Sequence, residues 1–189
     1  MRAWPRRNFI LAGVGVAAAA LALVAVLVER TSGLSAVHEG IAASHPSVDH
    51  IDAAEFAQHD RRSLVVFDTR EAEEFSVSHL AGAIRIPPDL PAEDFLLEYG
   101  DLVEGMTVVF YCSVGARSSQ FAEQTQSALR GLGAVDVVNL KRGLFGWHNE
   151  ERPLVDTSGK ATRMIHPYDE YWGRLVDRSE LISRIPEKF

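Results

Sequence analysis

Short strand-like runs alternate with helical patterns through the middle of the chain. The runs lie at residues 48–51, 64–67, 83–86, 107–111 and 135–140. Continuous apolar runs such as Leu64–Phe67 are typical of strands that are buried on both faces of a parallel sheet. Helices or helical turns are predicted between these runs, at residues 53–59, 71–75, 91–99, 118–130 and 143–147. The alternation predicts an α/β fold with a mainly parallel central sheet flanked by helices.

The first thirty residues have a different composition from the rest of the chain. Residues 9–28 form a run of twenty without a charged or strongly polar side chain. As a helix this run would span ~30 Å, the thickness of a bilayer core. Arg2, Arg6 and Arg7 precede it, which places the N-terminus in the cytoplasm and the remainder in the periplasm or outside the cell. Residues 1–30 are therefore predicted to form one transmembrane helix in the inner membrane.

An export signal is the alternative interpretation of this segment. Arg6-Arg7 is similar to a twin-arginine signal, and cleavage would release a soluble periplasmic protein. The apolar run is longer than the usual core of a signal peptide, and no small-x-small cleavage site follows it. Its length therefore favours a retained membrane anchor.

Two further segments flank the α/β pattern. Residues 31–47 are rich in Ser, Gly, Ala and His without a sustained period, which predicts a linker. The tail at residues 156–189 is charged, and Tyr168, Tyr171 and Trp172 are spaced as on one helix face. The tail is predicted to be helical and to pack on the domain rather than to bind a ligand.

Charge and cysteine usage exclude several functions. The chain carries a net charge of −7 and shows no basic stripe in its globular part, so no nucleic-acid partner is expected. A single cysteine excludes an intramolecular disulfide. No cluster of His and Cys has the spacing of metal ligands, so neither a metal nor another cofactor is predicted.

The single cysteine, Cys112, lies where a predicted strand ends and a helix is about to begin. The residues that follow it are, in order, Ser113, Val114, Gly115, Ala116, Arg117 and Ser118. Small residues permit a tight curl whose backbone N–H groups converge on an anion, and Gly115 can adopt the positive φ that such a curl needs. The positive end of the next helix adds to this field, which favours a thiolate nucleophile. An inert buried thiol is the alternative for a lone cysteine.

Two roles are possible for Arg117, the charged residue at the end of the loop. Arg117 closes the loop, and its planar guanidinium suits an oxyanion. Alternatively it forms a structural ion pair, with Asp68 as the candidate partner. Asp68 and Arg70 follow the strand at 64–67, at the end where ligands collect in open α/β sheets. We interpret both as structural residues near the site.

Taken together, these motifs resemble the rhodanese family of single-domain sulfurtransferases. The matching motifs are DTR at residues 68–70, EF at 74–75, SHLAGAI at 78–84, IP at 86–87, VFYC through RS at 109–118, and GLFGW at 143–147. The first four are similar to the amino-terminal half of a rhodanese domain, the fifth to its active-site loop and the last to its closing Gly-rich element. The resemblance covers residues 48–155, the predicted rhodanese-like domain.

The resemblance implies a sulfurtransferase. Cys112 would take sulfane sulfur from a thiosulfate-like donor, become a persulfide and pass the sulfur to cyanide or a thiol, with the identity of any protein acceptor left open. Residues 113–118 would then form the substrate-binding loop. Because the chain has no second cysteine, an external acceptor must discharge the persulfide.

Two alternatives share this fold. One is a non-catalytic rhodanese module that binds a partner or senses redox state, although such modules often lack the cysteine that this chain keeps. The other is a phosphatase or arsenate reductase, whose loops have five residues between cysteine and arginine. Four residues lie between Cys112 and Arg117, so the loop length favours sulfur over phosphate or arsenate.

Overall fold

A five-stranded parallel sheet forms the centre of the structure, a computed structural model that describes residues 33–186. The strand order is β1-β5-β4-β2-β3. The strands are β1 (Asp49–Ile51), β2 (Leu64–Asp68), β3 (Ile84–Arg85), β4 (Thr107–Tyr111) and β5 (Asp136–Leu140). Each neighbouring pair is parallel, so the mainly parallel sheet predicted from the apolar runs is confirmed.

Helices connect the strands and cover both faces of the sheet. They are α1 (33–44), α2 (Ala53–Gln58), α3 (Ala72–Val77), α4 (Ala92–Tyr99), α5 (Ala116–Gly131), α6 (Gly143–Asn149) and α7 (Glu170–Gly173). Successive residues of a strand point to opposite faces. Val109 accordingly packs in one core cluster with residues of α2 and α6, whereas Phe110 packs in a second with residues of α4 and α5. The flanking helices are thus confirmed, and α5 begins two residues earlier than predicted.

The register of the central strands brings their carboxyl ends to one edge. Val66 of β2 lies opposite Val109 of β4, and Asp68 lies opposite Tyr111. The Thr69 N–H donates to the Tyr111 carbonyl at 2.9 Å and extends the pairing beyond β2. Cys112 follows Tyr111 directly, so it is positioned at the edge where parallel sheets present their ligand sites.

Residues 33–44 are helical, whereas the sequence analysis predicts a linker over 31–47. Leu34 is 2% exposed and belongs to the core, and Val37 and Ile41 pack against the same cluster. Their spacing of three and then four residues is an apolar helix stripe. The high Ser, Gly and His content of the segment obscured that stripe.

The tail also differs from the prediction of one helix. A hairpin of β6 (Leu154–Val155) and β7 (Ala161–Thr162) crosses the predicted boundary at residue 155. Between residue 163 and residue 186, only α7 and a 3₁₀ turn at Ser179–Leu181 are helical. Tyr168 precedes α7 with a φ of 64°, a left-handed conformation that interrupts any helix. It therefore cannot share a helix face with the residues of α7.

The predicted membrane segment at residues 1–30 lies outside the described residues. Within residues 33–186, no helix is long and apolar enough to cross a bilayer.

Candidate active site

The loop after β4 is held by the start of helix α6. The Leu144 N–H donates to the Cys112 carbonyl at 2.8 Å, and the Phe145 N–H donates to the Ser113 carbonyl at 2.9 Å. These amides belong to the first turn of α6, where N–H groups have no partner within the helix. The closing Gly-rich element found in the sequence thus satisfies the carbonyl oxygens of the cysteine loop.

Gly143 permits this close approach. Its φ is 56°, and a Cβ at this position would lie 2.5 Å from the Cys112 carbonyl oxygen and 2.7 Å from that of Ser113. Both contacts are with backbone atoms, which have little freedom to move away. A glycine is therefore required both by the conformation and by the space.

The predicted curl around the sulfur is present at Gly115. Its φ is 103°, as the sequence analysis expected, and its N–H donates to the Cys112 Sγ at 3.1 Å. Helix α5 begins at the next residue, so its positive end also lies beside the sulfur. Cys112 is only 1% exposed, yet its surroundings include an amide donor and are not purely hydrocarbon.

Arg117 forms an ion pair with Glu74 of α3, and not with Asp68 as the sequence analysis considered. The pair is bidentate, with Nη1 donating to Oε2 at 2.8 Å and Nη2 donating to Oε1 at 3.0 Å. Ser113 joins it by donating its hydroxyl to Oε1 at 2.5 Å and accepting from Arg117 Nη2 at 3.2 Å. The Glu74 side chain is only 2% exposed, so this network ties the cysteine loop to the interior.

The charges of this network influence one another. Burial raises the pKa of Glu74, but hydrogen bonds from Arg117 and Ser113 outweigh it and lower that pKa on balance. Burial likewise lowers the pKa of Arg117, and its hydrogen bonds and charge interactions with Glu74 and Cys112 outweigh that effect and raise it. The carboxylate and the guanidinium are both ionised at neutral pH, and Arg117 also interacts with the sulfur.

Sequence reasoning did not identify Glu74 as a site residue. The local signal for it is a capping box, in which the Glu74 side chain accepts from the Glu71 N–H at 3.1 Å. That signal explains a glutamate at the start of a helix. It carries no information about the partner 43 positions later in the chain.

Asp68 and Arg70 form a separate ion pair beneath the loop. Both side chains are completely buried, and Arg70 Nη2 lies 2.6 Å from Asp68 Oδ2. Arg70 also donates to the Ser78 carbonyl at 2.7 Å, and its guanidinium carbon lies 5.7 Å from the centre of the Tyr111 ring. Neither residue lines the cavity at Cys112, in keeping with the structural role predicted for them.

A cavity of about 160 Å³ opens at the sulfur. It is lined by Cys112, Ser113, Val114, Ala116, Arg117, Tyr168 and Trp172. Of the predicted loop residues, Gly115 and Ser118 are not part of this lining. Ser118 is fully buried, and its hydroxyl has no hydrogen-bond partner among the described residues.

The tail lines this cavity with Tyr168 and Trp172, which the sequence pattern did not predict. Tyr168 lies over Arg117, with the guanidinium carbon 5.0 Å from the ring centre. A larger cavity of about 670 Å³, lined partly by His148, Arg163 and Arg178, does not include Cys112. The small cavity is the candidate active site because, of these two, it alone is lined by Cys112.

The fold and the site define a parallel α/β domain with a cysteine between a strand end and a helix start. The family model for the rhodanese-like domain matches residues 52–150. The chain belongs to the rhodanese-like domain family.

Similar proteins agree with this assignment. The chain is 30% identical over 92 residues to the probable adenylyltransferase/sulfurtransferase MoeZ of Mycobacterium tuberculosis, a match that covers 49% of this chain and 22% of the relative. It is 34% identical over 62 residues to a tRNA uridine(34) hydroxylase of Bacillus velezensis, which covers 31% and 19%. The chain thus spans about a fifth of the length of these relatives.

One solved structure shares the fold. The thiosulfate sulfurtransferase of Pseudomonas aeruginosa superposes with a TM-score of 0.50 at 22% identity, over 76% of this chain and 26% of that protein. At this identity the likeness shows the fold alone.

Replacing Gly143 with alanine tests the contact between α6 and the cysteine loop. We expect Gly143→Ala to lower the free energy of unfolding by about 2–4 kcal/mol, because the positive φ and the backbone contacts both oppose a Cβ. Gly159→Ala is the matched control, since Gly159 has a φ of 79° but nothing within 4 Å of its Cβ position. It should cost only about 1–2 kcal/mol. If denaturant unfolding gave the same loss of unfolding free energy for both variants, the contact between α6 and the cysteine loop would contribute nothing to stability.

The lowered pKa of Glu74 predicts a loss of stability in acid. Its stabilising effect is complete above the ordinary glutamate pKa of about 4.5 and is lost as the pH falls through the lower pKa of the folded state. Glu74→Gln should reduce the free energy of unfolding by about 1–3 kcal/mol at pH 7 and flatten its decline below pH 4.5. Exposed Glu93 provides the control, and Glu93→Gln should keep the wild-type pH profile within about 0.5 kcal/mol. A Glu74→Gln profile parallel to the wild type contradicts the assignment.

Proposed function

We propose that this protein is a sulfurtransferase that carries sulfane sulfur as a persulfide on Cys112. The single observation that supports this most directly is the Gly115 N–H, which lies 3.1 Å from the Sγ of Cys112, a residue that lines the small cavity. Membership of the rhodanese-like family and the probable sulfurtransferase activity named for one relative support it.

The first step is attack by the Cys112 thiolate on the outer sulfur of a donor such as thiosulfate. A sulfur–sulfur bond forms to Cys112 while the sulfur–sulfur bond of the donor breaks, and sulfite leaves with the electron pair. The total charge of the reactants equals that of the products, and the step consumes no external oxidant or reductant. Cys112 then carries a persulfide.

The loop supplies the electrostatic part of this step. The Gly115 N–H and the N-terminus of the 16-residue helix α5 present partial positive charge to the sulfur. Because the carbonyl oxygens of Cys112 and Ser113 are bound by α6, they do not compete for the amide. This arrangement stabilises the thiolate before the transfer and the terminal sulfur of the persulfide after it.

The second step requires an acceptor from outside the chain. Cyanide or a thiol attacks the terminal sulfur, the bond to the Cys112 Sγ breaks, and the thiolate is regenerated. The chain contains one cysteine, so no internal thiol resolves the persulfide. A protein thiol is an acceptor of the same chemistry.

We also propose that the domain acts on the periplasmic or outer side of the inner membrane. The support is the uncharged run at residues 9–28 and the arginines that precede it. Retention of the run would tether the domain near the membrane, whereas cleavage would release it.

Mass spectrometry of the full-length chain recovered from membrane and soluble fractions tests this placement. We expect the protein in the membrane fraction with Met1 or Arg2 as its first residue, and degradation of residues 34–189 by protease added to spheroplasts. An intact domain in protease-treated spheroplasts would overturn the topology, and a soluble protein that begins after residue 28 would identify a cleaved signal instead.

Replacing Cys112 with serine tests the catalytic proposal. We expect Cys112→Ser to lose thiocyanate formation from a sulfane-sulfur donor and cyanide by on the order of a thousandfold or more, and to lose the mass gain of one sulfur atom. Ser127→Ala, on the exposed side of α5, should keep the wild-type rate. Full transfer by Cys112→Ser, or hydrolysis of para-nitrophenyl phosphate in place of sulfur transfer by the wild type, would refute the proposal.

A further inference from the structure

We propose that Tyr168 is a specificity-determining residue, and that the site selects a singly charged sulfur donor with an apolar group over inorganic thiosulfate. The inference rests on the sulfurtransferase function proposed above and concerns which donors that site accepts. It depends on the charge balance at Arg117 and on the aromatic wall that the tail builds over it.

Arg117 is already neutralised. Among the described residues that line the cavity it is the one cation, and both of its terminal nitrogens bind the Glu74 carboxylate. Releasing Arg117 to a substrate oxyanion would leave Glu74 buried with only Ser113 as a side-chain donor. A buried carboxylate without a counter-charge is strongly unfavourable, so the pair is expected to persist when a donor binds.

The charge balance disfavours a dianion. With Glu74 and Arg117 cancelling, the Cys112 thiolate leaves one net negative charge at the cavity. Thiosulfate would add two more beside a sulfur that belongs to a buried residue, where repulsion is stronger than in bulk water. A donor with one negative charge adds half as much negative charge to the cavity, and it gives up less hydration when it enters the cavity.

The remaining wall is apolar and aromatic. Val114, Ala116, Tyr168 and Trp172 face the cavity together with the sulfur. An apolar or aromatic group on the donor can pack against these side chains, and an inorganic oxyanion cannot. The wall therefore favours the same donors that the charge balance favours.

The position of Tyr168 is maintained at a conformational cost. Its φ of 64° is uncommon for a residue with a side chain, and a cost of this kind persists only when the surroundings support it. Here the Tyr168 N–H donates to His166 Nδ1 at 3.1 Å, and Arg184 Nη1 donates to the Tyr168 carbonyl at 3.3 Å. Tyr168 as a whole residue is 44% exposed, so burial does not explain why its ring lies over Arg117.

Trp172 is oriented by the start of α7. Asp169 caps this helix by accepting from the Trp172 N–H at 2.8 Å. The two aromatic residues thus lie before and after the N-cap Asp169 in the chain, and different hydrogen bonds support each of them. A change to Tyr168 alone removes part of the wall and leaves Trp172 in place.

The transfer that this wall would favour is chemically the same as with thiosulfate. For benzenethiosulfonate, the Cys112 thiolate attacks the outer sulfur, the sulfur–sulfur bond of the donor breaks, and benzenesulfinate leaves with the electron pair. The persulfide that forms is identical but the leaving groups differ, so a preference reports on the binding of the donor only after the intrinsic reactivity of each donor is divided out. Cyanide regenerates the thiolate in every case.

Three sulfur donors distinguish the effect of the donor's charge from the effect of its packing against the aromatic wall. Thiosulfate has two charges, methanethiosulfonate has one charge and a small group, and benzenethiosulfonate has one charge and a ring. The measurement is kcat/KM for thiocyanate formation by the full-length chain in mild detergent, divided by the rate of the same donor with free N-acetylcysteine. We expect this ratio to rise in that order, with at least about a tenfold difference between the first and the last.

Variants of the tail then test the role of Tyr168. Tyr168→Ala should reduce the ratio for benzenethiosulfonate about tenfold and that for thiosulfate less than about twofold. Tyr168→Phe should restore most of the loss, because it keeps the ring. Ile185→Ala is the control, since Ile185 is a hydrophobic residue of the same tail that is 66% exposed and does not line the cavity, and it should change no ratio more than about twofold.

The outcomes distinguish this inference from the proposed function. If no donor adds a sulfur atom to Cys112, the sulfurtransferase function itself is wrong. If all three donors load Cys112 but thiosulfate equals or exceeds benzenethiosulfonate after normalisation, the function stands and the selectivity is wrong. If Tyr168→Ala lowers all three ratios equally, Tyr168 supports the fold of the site and does not determine specificity.

Discussion

The buried carboxylate of Glu74 holds the cysteine loop in its working shape. A charge inside a protein is tolerated when it is paired and hydrogen-bonded, and Glu74 meets this condition through Arg117 of α5 and Ser113 of the loop. One side chain thereby links helix α3, the loop and the start of α5. Any large movement of the loop would separate the ion pair, so the pair opposes such movement and preserves the position of the sulfur.

The rest of the site is arranged around that constraint. Helix α6 binds the carbonyl oxygens of Cys112 and Ser113, which leaves the Gly115 amide directed at the sulfur. The tail then covers Arg117 with Tyr168. These contacts form when the chain folds, so the groups are positioned before any donor binds, which is the arrangement that the proposed transfer requires. The same ion pair occupies both terminal nitrogens of Arg117, the one cation among the described residues that line the cavity.

Sequence reasoning succeeded where the signal is local. The strands at 64–68 and 107–111 follow from continuous apolar runs, and the positive φ of Gly115 follows from the need for a curl between a strand and a helix. The helix α1 was not predicted, because its three apolar residues are separated by small and polar residues. Sequence reasoning also failed for the tail, where aromatic residues at helical spacing are separated by the left-handed backbone of Tyr168.

The chain by itself determined the parallel α/β pattern and the position of the single cysteine at a strand end, because periodicity and turn residues act over a few positions. Only the tertiary structure decided which carboxylate pairs with Arg117 and which side chains close the cavity. Glu74 and Arg117 are 43 residues apart, and the aromatic wall comes from a segment still further along the chain. Such partnerships depend on distances between packed elements, and no local pattern in the sequence encodes those distances.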